Sequence, residues 1–116
     1  MTVAAGCGVR EVEAARLAGR PVLLDFYADW CVSCKEMERY TFVDPNVQAK
    51  LGEVVALQAD VTQNLAEHKA LLKRFDLFGP PGIVFFDRQG KLIKDLRVVG
   101  FQAADKFTRT LESALQ

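Results

Sequence analysis

Histidine occurs once, cysteine three times and proline four times in this 116-residue chain, and fifteen basic side chains face fifteen acidic ones. Each scarcity excludes something. A zinc ribbon or finger needs two cysteine pairs, or one pair with two histidines at short spacing. Beyond Cys31 and Cys34 the chain offers only Cys7 and His68, neither at ligand-pair spacing, so no metal site is expected. Zero formal net charge argues against a nucleic-acid or polyanion binder and leaves proteins as the expected partners of a monomer. No apolar run approaches the ~20 residues of a membrane span. The opening Met1-Thr2-Val3-Ala4-Ala5-Gly6 lacks the basic and apolar regions of a signal peptide. Read alone, that places the chain in the cytosol, and it fits equally well a piece of something larger.

What is present reads as one domain spanning 1–116, long enough to bury a core without staples, with 1–7 as a flexible tail in which Cys7 is an incidental thiol. Half of the residues are hydrophobic and about a quarter charged, an ordinary globular balance. The organising stretch is Tyr27-Ala28-Asp29-Trp30-Cys31-Val32-Ser33-Cys34-Lys35, directly after the apolar run Pro21-Val22-Leu23-Leu24-Asp25-Phe26 and directly before helix-forming residues. A Cys-x-x-Cys pair therefore stands where a strand feeds a helix. Unpaired backbone N–H groups and the positive dipole end favour a thiolate there, so the leading cysteine should ionise more easily than a free thiol.

Spacing decides the use of the pair. Positions i and i+3 share a helix face, so Cys31 and Cys34 can open and close a bond with little backbone motion. A ring that short contributes roughly 2 kcal/mol in the chain-entropy picture, against about 3 for a 15-residue loop. Redox exchange is the better reason for it than stapling.

Taken in order, Val9, Val12 and Ala15 predict an amphipathic helix over 8–18 that Gly19 ends. Pro21 to Tyr27 predicts a buried strand in which Asp25 is anomalous. A carboxylate inside an apolar run is costly unless it has a role or a partner, or unless alternation turns it outward. Asp44-Pro45 caps a short helix reaching Leu51, and Val54 to Ala59 predicts a second strand, parallel to the first through a helical crossover. Leu65 to Phe75 reads as a helix with Leu65, Leu72 and Phe75 inward and His68 as a tolerated edge residue. Gly79-Pro80-Pro81-Gly82 breaks the chain before a third strand at Ile83–Phe86. Lys91 to Val98 predicts a fourth, antiparallel strand, and Ala103, Phe107, Leu111 and Ala114 stripe a closing helix. The proline break is a natural neighbour for the cysteine loop. Pro81 could be cis, although the residues alone favour an ordinary trans proline.

The run Leu24 to Lys35 resembles the strand, tryptophan and Cys-x-x-Cys helix of the thioredoxin family, and Gly79-Pro80-Pro81-Gly82-Ile83 is similar to its cis-proline loop. Within it, Tyr27-Ala28-Asp29-Trp30-Cys31-Val32-x-Cys34-Lys35, then Glu36 and Glu38, then Tyr40-Thr41-Phe42-x-Asp44-Pro45-x-Val47, resemble the C-terminal periplasmic domain of the bacterial membrane thiol:disulfide interchange proteins, the DsbD family. Leu71-Leu72-Lys73 and Val99-Gly100-Phe101 fit as well. The resemblance implies an α/β thioredoxin fold, a mixed central sheet of about four strands with helices on both faces. It also implies a disulfide oxidoreductase whose only redox group is the Cys31–Cys34 disulfide. Such a domain takes electrons from the transmembrane part of its own chain and hands them to the N-terminal periplasmic domain, serving disulfide isomerisation and cytochrome c maturation. The chain would then be a soluble periplasmic module of an inner-membrane protein.

By the same resemblance Cys31 is the exposed nucleophile, Cys34 the buried resolving cysteine, Asp25 the buried acid, Glu38 a second acid and Pro81 the cis-proline. Trp30, Val32, Ser33, Pro80 and Pro81 would meet the partner. Three residues depart from the pattern. Pro80 adds a second proline, Gly82 stands where a β-branched residue is common, and Ser33 replaces a small residue. Two further readings remain. A free-standing thioredoxin-like reductase would differ in partner, and Val32-Ser33 in place of the usual Gly-Pro speaks against it. A redox-inactive binding module would not need both cysteines, the tryptophan and Asp25.

Overall fold

Nine residues from Val9 to Leu17 wind into the first helix, and the chain then turns through Gly19, whose φ of 68° suits a residue without Cβ. The amides of Gly19 and Arg20 cap the helix on the carbonyls of Arg16 and Ala15. In this computed structural model, which describes residues 2–3 and 9–116, the order is β1 (Thr2–Val3), α1 (Val9–Leu17), β2 (Val22–Tyr27) and α2 (Val32–Glu36). A π-helical turn, Met37–Thr41, prolongs α2. There follow α3 (Pro45–Leu51), β3 (Val55–Asp60), α4 (Ala66–Arg74), β4 (Gly82–Phe86), β5 (Val98–Val99) and α5 (Ala104–Leu115). Cys7 and most of the expected tail lie outside the described residues.

The sheet runs β1-β3-β2-β4-β5, with β2 parallel to β3 and antiparallel to β4. The expected βαβ unit and the mixed sheet with helices on both faces are present. Alternation along β2 divides the core. Leu24 and Phe26 pack with Ala15 of α1 and with Leu71, Leu72 and Phe75 around α4, while Leu23 faces Met37, Val47, Phe107 and Leu111 on the other side. Asp44 caps α3 as its sequence predicts, accepting from the amides of Asn46 at 2.9 Å and Val47 at 3.3 Å.

Several expectations need correction. The sheet of about four strands is present, and Thr2–Val3 adds a short fifth to it, paired with Leu57 and Gln58 along the outer edge of β3. The strand expected over Lys91–Val98 shrinks to Val98–Val99, with an isolated bridge between Phe86 and Leu92 before it. Leu96 and Ile93 close a turn in the intervening stretch and interrupt the pairing. Leu65 and Ala103 are not core positions. Both are exposed N-cap residues of α4 and α5, and Leu71 and Ala104 supply the apolar contacts instead. At both N-caps the backbone is extended, so the two side chains fall off the periodic inward stripe of their helices.

Candidate redox site

Strand β2 ends at Tyr27, and four residues later the chain enters α2 with Cys31 as the N-cap, its backbone extended at φ −88° and ψ 106°. The amide of Cys34 donates to Cys31 Sγ at 3.1 Å, so the sulfur occupies the place a capping oxygen would take. Cys31 and Cys34 are joined by a disulfide with Cα atoms 5.2 Å apart. Cys34 Sγ lies 3.9 Å from the carbonyl oxygen of Phe26, the residue after Asp25. The expectation of an exposed Cys31 beside a buried Cys34 is not met in this disulfide state. The two residues are 5% and 4% exposed, whereas their neighbours Trp30 and Val32 are exposed. Position at the helix start, not exposure, distinguishes the two sulfurs.

Asp25 does not point to solvent. It is 6% exposed and, alternating with Leu23, faces the layer of α2, α3 and α5. Burial, and after it the negative charge of Glu38, pushes its pKa from 3.8 up to about 7. Glu38 is exposed on the π-helical turn, and with Asp25, Gln48, Leu51, Gly52 and Gln58 it lines a cleft of about 570 Å³. Gln58 is the β3 register partner of Asp25. Sequence reasoning passed over Gln58, although a polar residue inside Val54–Ala59 is the same kind of anomaly as Asp25.

The Pro80–Pro81 peptide is cis, as the resemblance implied and the residues alone did not. Register places Gly82 beside Phe26, so Pro81 and the cysteine loop share one end of the sheet. Both Pro80 and Pro81 are half-buried, and the amide of Gly100 donates to the Pro81 carbonyl at 3.1 Å. Ser33 is half-buried on α2. The space a side chain at Gly82 would need is filled by Leu77, whose Cδ1 lies 2.9 Å from where a Cβ would stand. That contact accounts for the glycine at a position where the family pattern favours a β-branched residue.

Two features were missed from the sequence. The first is a polar clamp on the cysteine loop. Asp29 donates its amide to Thr62 Oγ1 at 2.9 Å, Trp30 donates Nε1–H to the Thr62 carbonyl at 2.9 Å, and Thr62 donates its hydroxyl to Asp60. Lys35 donates to the Tyr27 hydroxyl, which donates to Asp29 at 3.0 Å. Residues 33 positions apart meet here, so no local motif signals it. The second is a set of exposed apolar side chains, several of them next to the proline loop in sequence or register. Phe78 is fully exposed just before the proline loop, and Val99 and Phe101, on either side of the Gly100 that bonds Pro81, are exposed with Trp30 and Val32. Phe78 stands in a loop, outside any periodic pattern that would have drawn notice.

His68 is half-buried, and its Nδ1 accepts from the Leu65 amide at 3.2 Å as part of the start of α4. Among the described residues no three His, Cys, Asp or Glu side chains gather in a way that could hold a metal, and no helix is long and apolar enough to cross a membrane.

Residues 10–115 match the thioredoxin-like domain family. The chain is 62% identical over 104 residues to a thiol:disulfide interchange protein DsbD of Ralstonia nicotianae, covering 90% of this chain and 17% of that protein. To the DsbD of Yersinia pestis it is 54% identical over 99 residues, 85% of this chain and 17% of the relative. The crystal structure of the C-terminal domain of Neisseria meningitidis DsbD in the oxidised form is similar, with a TM-score of 0.80 at 39% identity over 99% of this chain and 100% of that one. Its reduced form gives 0.81 at the same identity, over 98% of this chain. The chain thus spans about a sixth of the length of the curated relatives it matches, and all of the solved domain.

Proposed function

Since the chain belongs to the thioredoxin-like domain family, we propose that it is a protein-disulfide reductase module that passes electrons by dithiol–disulfide exchange. It receives them from a membrane-embedded part of a longer DsbD-type protein and delivers them to a periplasmic partner domain of that protein. The observation that carries this reading is the Cys31–Cys34 disulfide capping α2, with Asp25 buried behind it and cis-Pro81 at the same end of the sheet.

The reaction proceeds in two exchanges. In the reduced chain the Cys31 thiolate attacks one sulfur of the partner's disulfide, forming a mixed disulfide and expelling the other partner sulfur as a thiolate. Cys34 then loses its proton to the Asp25 carboxylate, and its thiolate attacks Cys31 Sγ, releasing the second partner thiolate. Two electrons have moved to the partner, whose thiolates take up protons, and the chain is left as the disulfide described here. Carboxylates at Asp25 and Glu38 disfavour a thiolate at Cys31, which suits a donor of electrons better than an acceptor. Trp30, Val32, Ser33, Pro80 and Pro81 form the partner-facing rim, and the exposed Phe78, Val99 and Phe101 extend it into a patch of the kind that marks protein association. Exchange through a mixed disulfide needs only a transient contact there.

The test is to mix the reduced chain with an oxidised N-terminal periplasmic domain of a DsbD protein and follow thiol transfer by alkylation and gel shift. Stoichiometric reduction of that domain is expected. Reduction of insulin without reduction of that domain would reject the partner and keep the chemistry.

A further inference from the structure

The exchange reading above, on which this inference rests, requires a protein to land on the rim around Cys31. Two separate sets of bonds hold the loop there. Those at Cys31 are local: its amide donates to the Ala28 carbonyl at 3.1 Å, and its sulfur accepts from the Cys34 amide. Those just before it, at Asp29 and Trp30, reach across the fold to Thr62, and neither of them touches a sulfur.

Thr62 is itself firmly placed. The β2–β3 ladder ends at the Tyr27–Asp60 pair, and the Val61 amide, donating to the Tyr27 carbonyl at 2.8 Å, extends it by one residue. Asp60 Oδ1 then accepts both from the Thr62 amide, at 2.9 Å, and from the Thr62 hydroxyl. The hydroxyl bond holds the Asp60 carboxyl below its ordinary range, so it remains an acceptor at neutral pH. With its own proton given to Asp60, Thr62 Oγ1 is oriented to accept, and it accepts from the Asp29 amide. The adjoining Thr62 carbonyl takes the indole N–H of Trp30.

The consequence falls on a side chain that stands mostly in solvent. Trp30 is 57% exposed, yet its one polar atom is bonded to backbone 32 positions away. An exposed ring without such a bond samples several orientations and has to be ordered when a partner lands on it. Tied to Thr62, the ring is ordered beforehand.

We propose that Thr62, braced by Asp60, is a positioning residue for exchange with protein disulfides: it fixes Trp30 and the turn at Asp29 in the arrangement a partner meets. The reactivity of Cys31 is left to the helix start. The clamp therefore separates protein disulfides, which need the rim, from small disulfides, which need only the sulfur.

The experiment measures rate constants of the reduced chain toward insulin and toward bis(2-hydroxyethyl) disulfide, which is small and uncharged. Thr62→Val, which keeps the shape and loses the hydroxyl, should be about tenfold slower with insulin and within about twofold of wild type with the small disulfide. Thr62→Ser, which keeps the hydroxyl, should stay within about twofold of wild type on both. Trp30 is the single tryptophan of the chain, so time-resolved fluorescence anisotropy reads its ring directly. Nanosecond rotation of the ring should increase in Thr62→Val and not in Thr62→Ser. Should Thr62→Val not fold, Asp60→Ala removes the brace at an exposed position and carries the same expectations. Equal losses on both oxidants, as a merely structural role would give, or an unchanged rate with insulin, would overturn the inference. Failure of wild type to reduce insulin at all would instead overturn the reading of the site beneath it.

Discussion

The Cys34 amide donates to Cys31 Sγ at 3.1 Å, so the helix that carries both cysteines is capped by one of its own reactive atoms. A sulfur held there meets the partial positive charge of the helix start, which favours the thiolate when the disulfide opens. The same bond makes the two sulfurs unequal even though they are nearly equally buried.

That inequality is open to direct measurement. Cys31→Ser should abolish insulin reduction, whereas Cys34→Ser should accumulate a mixed disulfide with the substrate, visible as a reducible band on a non-reducing gel. Trapping by Cys31→Ser and none by Cys34→Ser would reverse the assignment.

Asp25 makes stability depend on pH in an unusual direction. Its pKa rises on folding from 3.8 to about 7, so between those values the folded chain binds the proton and the unfolded chain does not. Stability therefore falls as pH rises through that window, by up to about 4 kcal/mol for a shift of roughly three units. Asp25→Asn removes the titration. In urea unfolding of the oxidised protein, the variant should gain on wild type steadily from pH 4 to 7 and then hold its lead. Parallel curves would show that Asp25 is not protonated near neutrality.

Glu38 contributes the second, smaller part of that rise through its charge. Glu38→Gln should move the Asp25 midpoint downward in a carboxyl NMR titration and should slightly stabilise the protein at pH 8. An unmoved midpoint would mean that solvent in the cleft screens the pair completely.

Gly82 and Leu77 exclude one another's side chains. A Cβ at position 82 meets Leu77 Cδ1 at 2.9 Å, so Gly82→Val should cost about 1–3 kcal/mol through overpacking. Leu77, itself buried, should also be destabilised by truncation to alanine. The double variant should lose clearly less than the sum, and simple additivity in a thermal-unfolding cycle would show that the loop relaxes around the new side chain.

The order of elements and the redox pair were legible because their signals are local. Cys31 and Cys34 are three positions apart, Asp44-Pro45 is a self-contained cap, and Gly79 to Gly82 breaks the chain without help from elsewhere. The failures came where a neighbour in space decided the outcome. Lys91 to Val98 has strand composition but pairs only at its two ends, and Leu65 has core composition but falls at a cap. The role of Asp25 stayed undecided on its own residues, since alternation allows either face. Which face is buried depends on register against β3 and β4 and on the helices laid over them.

What the sequence determined by itself was chemistry and local geometry: two thiols at one helix start, and the apolar runs and breaks that order the strands and helices. The tertiary structure alone decided environment: the burial that raises the Asp25 pKa, the Gln58 cleft behind it, the Thr62 clamp on the cysteine loop and the exposed Phe78 beside the prolines. The physical reason is range. Spacing along the chain sets what a few covalently linked residues can do together, whereas desolvation, charge and exposure are set by groups that only folding brings near.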